Sequence, residues 1–170
     1  MTLARRILIL GGIALAIIGM CHGMWYAVFA EHQALDRMGG SLDSAFVHAA
    51  NRDSTQAQLF LDNYREAKYK YDRQVDAHGH WIGLAMLLIV LGIVFDRIAF
   101  RESRKSLLAI GLLTGAATFP LSVVLQTLTH GSPPRLLSIA SSALMIGTLA
   151  IAAFGFASDR FVEKSDCPTA

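Results

Sequence analysis

Four long apolar runs constrain the fold of this chain more than any other feature of its sequence. A helix that crosses a bilayer needs about 20 predominantly apolar residues, and each run reaches that length. Charged residues make up 16% of the chain, whereas soluble domains average about 25%. We therefore predict an all-α, four-transmembrane-helix bundle that forms a single integral membrane domain over residues 1–170. The predicted spans are residues 7–30, 80–100, 106–129 and 136–157.

The distribution of Lys and Arg predicts how these spans are oriented. Cationic residues cluster before the first span, between the second and third, and after the fourth, whereas the loop between the third and fourth carries Arg135 alone. The clustered residues are Arg5, Arg6, Arg97, Arg101, Arg104, Lys105, Arg160 and Lys164. Short loops rich in Lys and Arg stay in the cytoplasm. We therefore predict a multi-pass protein of the plasma (inner) membrane, with both termini and a tail over residues 158–170 in the cytoplasm. The net charge of +2 is too small to predict a nucleic-acid partner.

Residues 31–78 then lie outside the membrane, where their apolar residues recur every three or four positions in two stretches. This spacing indicates two amphipathic helices. Asp53 and Ser54 suit the N-cap of the second helix, which places the turn near Asn51 and Arg52. We predict an extracytoplasmic antiparallel helical hairpin that continues the first two spans. Its tyrosines either form a partner surface or pack in the core; these residues are Tyr64, Tyr69 and Tyr71.

The first span carries small residues along one narrow face. These residues are Gly12, Ala16, Gly19, Gly23, Ala27 and Ala30. Small residues let helices approach closely in lipid, so this Gly-rich face predicts helix pairing within the chain, with a membrane-protein partner or in a homo-oligomer. Val28-Phe29-Ala30 would also suit signal-peptide cleavage before Glu31. However, the apolar stretch is longer than the roughly 7–15 residues of a signal peptide, so we expect residues 1–30 to be retained.

All six histidines fall in the outer half of the predicted membrane region or outside it. His22 is 16 residues after Arg6 and His80 is 17 residues before Arg97, which puts both roughly 24 Å from the cytoplasmic side at 1.5 Å per residue. Imidazoles are axial ligands of haem iron. One hypothesis is therefore a haem b ligated by His22 and His80, with room for the macrocycle along the neighbouring glycines. Those glycines are Gly19, Gly23, Gly79 and Gly83.

Two further hypotheses remain open from the sequence. In one, histidines hold copper or zinc, for which imidazole is a suitable ligand; the candidate ligands are His22, His78, His80 and His130. A single ion cannot easily take both His78 and His80 from one helix, because residues two apart point about 200° away from each other. In the other, no cofactor is bound and the histidines form hydrogen bonds or meet lipid headgroups.

The segment His78-Gly79-His80, followed by an apolar run, resembles the His-x-His helix of the haem–copper oxidase superfamily. In that family the two histidines ligate two different haems from opposite faces of one span. The resemblance covers about a dozen of the 170 residues. Four spans and the lack of a second His-His copper motif separate this chain from an oxidase subunit of that kind. The resemblance implies that His78 or His80 is a haem ligand.

These patterns lead to one functional expectation and one alternative. The expectation is an integral membrane protein with an outer-side, histidine-ligated haem or metal site for electron transfer or sensing. The alternative is a non-redox accessory, assembly or interaction subunit of a membrane complex, without a cofactor. The sequence contains no motif that specifies a reaction, so whether the protein is an enzyme stays open.

Overall fold

The computed structural model describes the backbone of residues 1–129 and 131–165 and the side chains of residues 1–129 and 131–158. The described residues form helices and contain no strand, which confirms the all-α prediction. Helix α1 continues through a π-helical turn into α2, and a 3₁₀ turn follows α3. The bounds are α1 (Leu3–Trp25), the π turn (Tyr26–Ala30), α2 (Glu31–Ala50), α3 (Ser54–Val94), the 3₁₀ turn (Phe95–Arg97), α4 (Glu102–Leu128) and α5 (Ser132–Ser165).

Four helical stretches are long and apolar enough to cross a membrane, as the sequence predicts. At 1.5 Å per residue, even the 27-residue stretches exceed the roughly 30 Å of a bilayer's hydrocarbon core. Predicted spans 7–30 and 136–157 fall within one stretch each, whereas span 80–100 extends three residues and span 106–129 one residue past the end of its stretch. The stretches are Leu3–Ala50, Ser54–Arg97, Glu102–Leu128 and Ser132–Ser158.

Helix α3 packs against both α1 and α2, and the glycines of α1 make the close approach to α3 possible. A Cβ atom added at Gly12 would lie 2.9 Å from the Ala85 carbonyl oxygen. One added at Gly19 would lie 2.8 Å from Cβ of Trp81. The paired positions run in opposite order along the two helices. The Gly-rich face of the first span therefore packs against α3 of the same chain.

The link between α2 and α3 consists of Asn51, Arg52 and Asp53. Arg52 has φ of 58°, a left-handed conformation that reverses the chain in few residues. The Asp53 carboxylate accepts a hydrogen bond from the Gln56 backbone N–H at 3.1 Å, so Asp53 is the N-cap of α3. The two helices pack against each other beyond this link; the ring of His48, for example, stacks on Phe60 at 5.3 Å.

At the opposite end, the N-terminus, the link after α3 and the start of α4 are held together by polar contacts. The Asp96 carboxylate accepts hydrogen bonds from the Thr2 hydroxyl and from Arg5. The buried Lys105 ammonium donates to the Asp96 backbone carbonyl at 2.9 Å and pairs with Glu102. These contacts and the apolar core between α1, α3 and α4 add to the close packing at the α1 glycines, which fixes the rotation of α1 against α3. That rotation decides which side chains meet at the histidine end of the interface.

Candidate functional site

The histidine end of the α1–α3 interface is built from side chains at three- and four-residue spacing on both helices. From α1 and the π turn it takes Gly19, His22, Gly23 and Tyr26; from α3 it takes Gln74, His78 and Trp81. Such spacing places each set on one helix face. Two of the five histidines that the structure describes, His22 and His78, therefore belong to this interface.

His22 is held by a hydrogen-bond chain that begins on α4. The Thr127 hydroxyl donates to the Val124 carbonyl at 2.7 Å, so its oxygen is left to accept from the Gln74 amide nitrogen at 3.3 Å. The Gln74 carbonyl oxygen then faces His22 Nε2 at 2.9 Å. A carbonyl oxygen can only accept, so His22 Nε2 carries the proton in this arrangement.

The other ring nitrogen of His22 consequently carries a lone pair in the neutral ring. Nδ1 is buried and has no hydrogen-bond partner among the described side chains and backbone. The ring lies edge-on to Trp81, with centroids 5.0 Å apart, and stacks with Tyr26 at 6.5 Å. A buried acceptor without a donor costs about 1–3 kcal/mol.

His78 has the opposite arrangement of ring nitrogens. Its Nδ1 lies 2.9 Å from the Gly19 carbonyl oxygen, and because that oxygen only accepts, Nδ1 is the protonated nitrogen. The lone pair of the neutral ring is then on Nε2. Metal-ligating histidines usually donate their other ring N–H to a backbone carbonyl or a carboxylate, which fixes the ring and its tautomer. His78 has this arrangement.

A small cleft lies beside the His78 ring, between the π turn and α3. Its volume is about 210 Å³, and its lining residues are Gly23, Tyr26, Ala27, Glu31, Gln74, Val75 and His78. Gly23 lies directly against the His78 ring, and a Cβ atom at this position would clash with it. The cleft thus brings an imidazole, a carboxylate and a phenol to one place at the end of the first predicted span.

The carboxylate of Glu31 is positioned from α3. The Tyr71 hydroxyl donates to Glu31 Oε1 at 3.2 Å, and the Tyr71 ring lies 6.2 Å from that of Tyr26. The hydrogen bond to Glu31, followed by partial burial and the negative charge of Glu31, raises the pKa of Tyr71 above its ordinary value of 10.0. Tyr71 therefore stays a neutral donor to Glu31 over the physiological pH range.

His80 meets different neighbours from His78. Its ring is exposed and lies edge-on to Phe119 of α4, with centroids 4.8 Å apart. His22 contacts Gln74 and Trp81 instead, so the two rings have different recorded neighbours among the described residues. The fourth candidate ligand, His130, lies outside the described residues.

The sequence predicted room for a haem along all four glycines, but the structure leaves open space at only two of them. Side chains of α3 fill the room beside Gly19 and Gly23, whereas a Cβ atom at Gly79 or Gly83 would meet no described atom within 4 Å. Within residues 1–129 and 131–158, no group of three or more His, Cys, Asp or Glu side chains converges to hold a metal ion. Ligation by His22 and His80, and metal binding by the four histidines, stay predictions.

Sequence reasoning missed Gln74, Thr127 and Glu31. Gln74 precedes His78 by four residues and Trp81 by seven, a spacing that already placed it on the same helix face. Glu31 gave no such signal, because its position depends on the π turn.

No protein-family model, curated protein or solved structure matches the chain.

Proposed function

We propose that this chain is a four-span integral protein of the plasma (inner) membrane, with both termini in the cytoplasm and α2 and the start of α3 projecting outside as a helical hairpin. At the outer end of the first two spans it holds a histidine-ligated metal ion or haem b, in electron transfer or sensing. The four apolar helices and the asymmetric placement of Lys and Arg support the membrane topology. The geometry of His78 supports the site.

The hydrogen bond between His78 Nδ1 and the Gly19 carbonyl is the observation that carries this proposal. It orients the ring, sets its tautomer and leaves Nε2 as the nitrogen available to a Lewis acid. His78 also lines a cleft rather than a filled core position. A packed histidine would also satisfy its ring N–H with such a bond, so the cleft beside the ring is the second support for the site.

The size of the cleft bears on which group is held. Small-molecule and cofactor pockets are typically about 300–1,000 Å³, and the cleft measures about 210 Å³. A copper or zinc ion with one or two waters fits such a volume. A haem macrocycle between α1 and α3 would require the two helices to separate at Gly19 and Gly23, where α3 side chains lie in close contact.

Absorption spectroscopy and elemental analysis of the purified protein test the proposal. Full-length protein in mild detergent is examined as isolated and after separate loading with Zn²⁺, Cu²⁺ or haemin. We expect about one equivalent of metal, or a Soret band, per chain. His78→Ala should abolish it, and His32→Ala should not, because the side chain of His32 is 86% exposed on the outer segment. Wild-type protein that stays colourless and metal-free after every loading would refute the proposed site.

A second candidate function is that of an accessory subunit without a cofactor, and exposed apolar side chains near the α2–α3 turn favour it. Phe46 is 68% exposed, and Val47 and Leu59 are each 52% exposed, in the segment that we place outside lipid. A photo-crosslinking residue at position 46 should then give a discrete adduct with another membrane protein. The same residue at the exposed polar position 62 serves as the control. Adducts absent from position 46, or equal at both positions, would argue against this role.

A further inference from the structure

We infer that the cleft beside the π turn is a binding site for a divalent transition-metal ion, Zn²⁺ in the first place, with His78 Nε2 and the Glu31 carboxylate as its protein ligands. This inference deepens the proposed function and rests on it, since it names the ion and adds a ligand, Glu31, that the histidine pattern did not contain. The charge of the cleft, the position of Glu31 and the orientation of its carboxylate support the inference.

The polar groups of the cleft are those that recognise a cation. Glu31 supplies a carboxylate, and the His78 tautomer leaves a lone pair on Nε2. The cleft's described lining contains no Lys or Arg to neutralise the carboxylate. Imidazole nitrogen and carboxylate oxygen are both ordinary ligands of zinc, at roughly 2.0–2.2 Å. An anionic ligand would instead meet the charge of Glu31 with no cation to balance it.

The π turn is what places Glu31 at the cleft. Gly19, Gly23 and Tyr26 lie on the α1 face that meets α3, and a regular α-helix would bring residue 30, an alanine, onto that face after Tyr26. Instead, the Glu31 backbone N–H bonds to the Tyr26 carbonyl five residues earlier. The extra residue in this turn substitutes Glu31 for Ala30 in the lining. Single π-helical turns occur frequently at functional sites, and here the turn replaces a methyl group with a carboxylate.

The orientation of the Glu31 carboxylate is set by Tyr71. The Tyr71 hydroxyl donates to Oε1 at 3.2 Å, a bond that leaves Oε2 for a ligand. Hydrogen-bonded carboxylates of this kind are common in metal sites, where the partner holds the ligand in position. One imidazole and one carboxylate come from the protein, and water completes the coordination of the ion.

Binding of Zn²⁺ to the metal-stripped full-length protein in detergent tests this inference by competition with a chromophoric chelator. We expect one Zn²⁺ per chain, with affinity lowered at least about tenfold in both Glu31→Gln and His78→Gln. The matched controls are Asp43→Asn, an exposed acid on α2, and His32→Gln, an exposed histidine on the same helix; both should bind like the wild type. Circular dichroism and the thermal midpoint without metal show whether each variant still folds, and Glu31→Gln leaves the packing at Gly23 intact.

X-ray absorption of the zinc-loaded protein gives an independent measurement. The expected spectrum has one imidazole nitrogen and otherwise oxygen ligands at roughly 2.0–2.2 Å; a sulfur ligand would overturn the assignment. Binding that depends on His78 but is unchanged in Glu31→Gln would overturn this inference and leave the proposed function standing. Wild-type protein that binds neither a metal ion nor haem would refute both.

Discussion

Two faces of the same helix, α3, differ in how closely they are packed and in which histidine they carry. The face towards α1 packs closely against that helix, because glycines of α1 leave room for α3. At one end of this packed interface lie the hydrogen bonds of His22 with Gln74 and of His78 with the Gly19 carbonyl. The face that carries His80 is more open, with that ring resting against Phe119 of α4. His78 and His80 are separated by one residue, but only His78 has a ring nitrogen committed to a backbone carbonyl. Position around the helix, rather than residue type, decides which of the two rings lies at the α1–α3 interface.

Replacing a glycine on each face of α3 by alanine should give the largest difference in the free energy of unfolding. A Cβ atom at Gly92 would lie 2.7 Å from Ile9 Cγ1 and 3.3 Å from the Ile9 backbone nitrogen, whereas one at Gly83 would meet nothing described within 4 Å. We expect Gly92→Ala to lower the free energy of unfolding by about 1–3 kcal/mol, because it forces α1 and α3 apart. Gly83→Ala should be neutral or raise it by up to about 1 kcal/mol, because alanine favours helix. Denaturant unfolding in detergent measures both, and equal effects would contradict the difference between the faces.

The hydrogen-bond chain to His22 should give the next largest effect. Gln74→Leu keeps the size of the side chain but removes the partner of His22 Nε2, which should cost about 1–3 kcal/mol of stability. Thr127→Val should cost less, about 0.5–1.5 kcal/mol, because it removes one neutral bond to Gln74. Nitrogen-15 NMR of labelled histidines should show a protonated Nε2 in His22 and a protonated Nδ1 in His78. Finding the same tautomer in both rings would rule out the chain as described.

Removal of the His80 ring should have a smaller effect. The edge-on contact with Phe119 is of a kind worth about 0.5–1.5 kcal/mol, so His80→Ala should lower the unfolding free energy by no more than that and leave Zn²⁺ binding unchanged. Unfolding and chelator competition on the same preparation check the two parts. If His80→Ala abolished metal binding, the ligand would lie on the face towards α4 and not at the α1–α3 interface.

The smallest expected effect is a pH dependence at the hydrogen bond between Tyr71 and Glu31. Because the pKa of Tyr71 is raised in the folded protein, the stability that this bond contributes is fully present below about pH 10 and is lost as the pH rises through the folded pKa. Glu31→Gln should move tyrosinate formation, followed by ultraviolet absorbance, to lower pH. Asp43→Asn should leave the titration where it is in the wild type. A curve unchanged by Glu31→Gln would show that the bond does not form in solution.

Much of the scaffold could be predicted from residue spacing, but the candidate site could be predicted only in part. Runs of apolar residues identify the long helices, and Asn51, Arg52 and Asp53 mark the turn because few residues favour such a reversal and such a cap. The placement of His22, His78 and His80 at about one level along α1 and α3 also follows from counting residues. Which of these rings would contact which neighbour did not follow, since counting along two helices does not relate the rotation of one to the other.

The sequence by itself therefore determined the helical class, the four apolar helices and the angle between His78 and His80, because these depend on hydrophobic length and on the 100° step of a helix. The tertiary structure decided that His78 and not His80 faces α1, that Gln74 and Thr127 hold His22, and that Glu31 enters the cleft. The physical reason is that close packing at the glycines of α1 fixes the mutual rotation of α1 and α3. The π turn then adds one residue to the helix, which changes the residue that faces α3. The spacing of residues in the sequence does not predict this change.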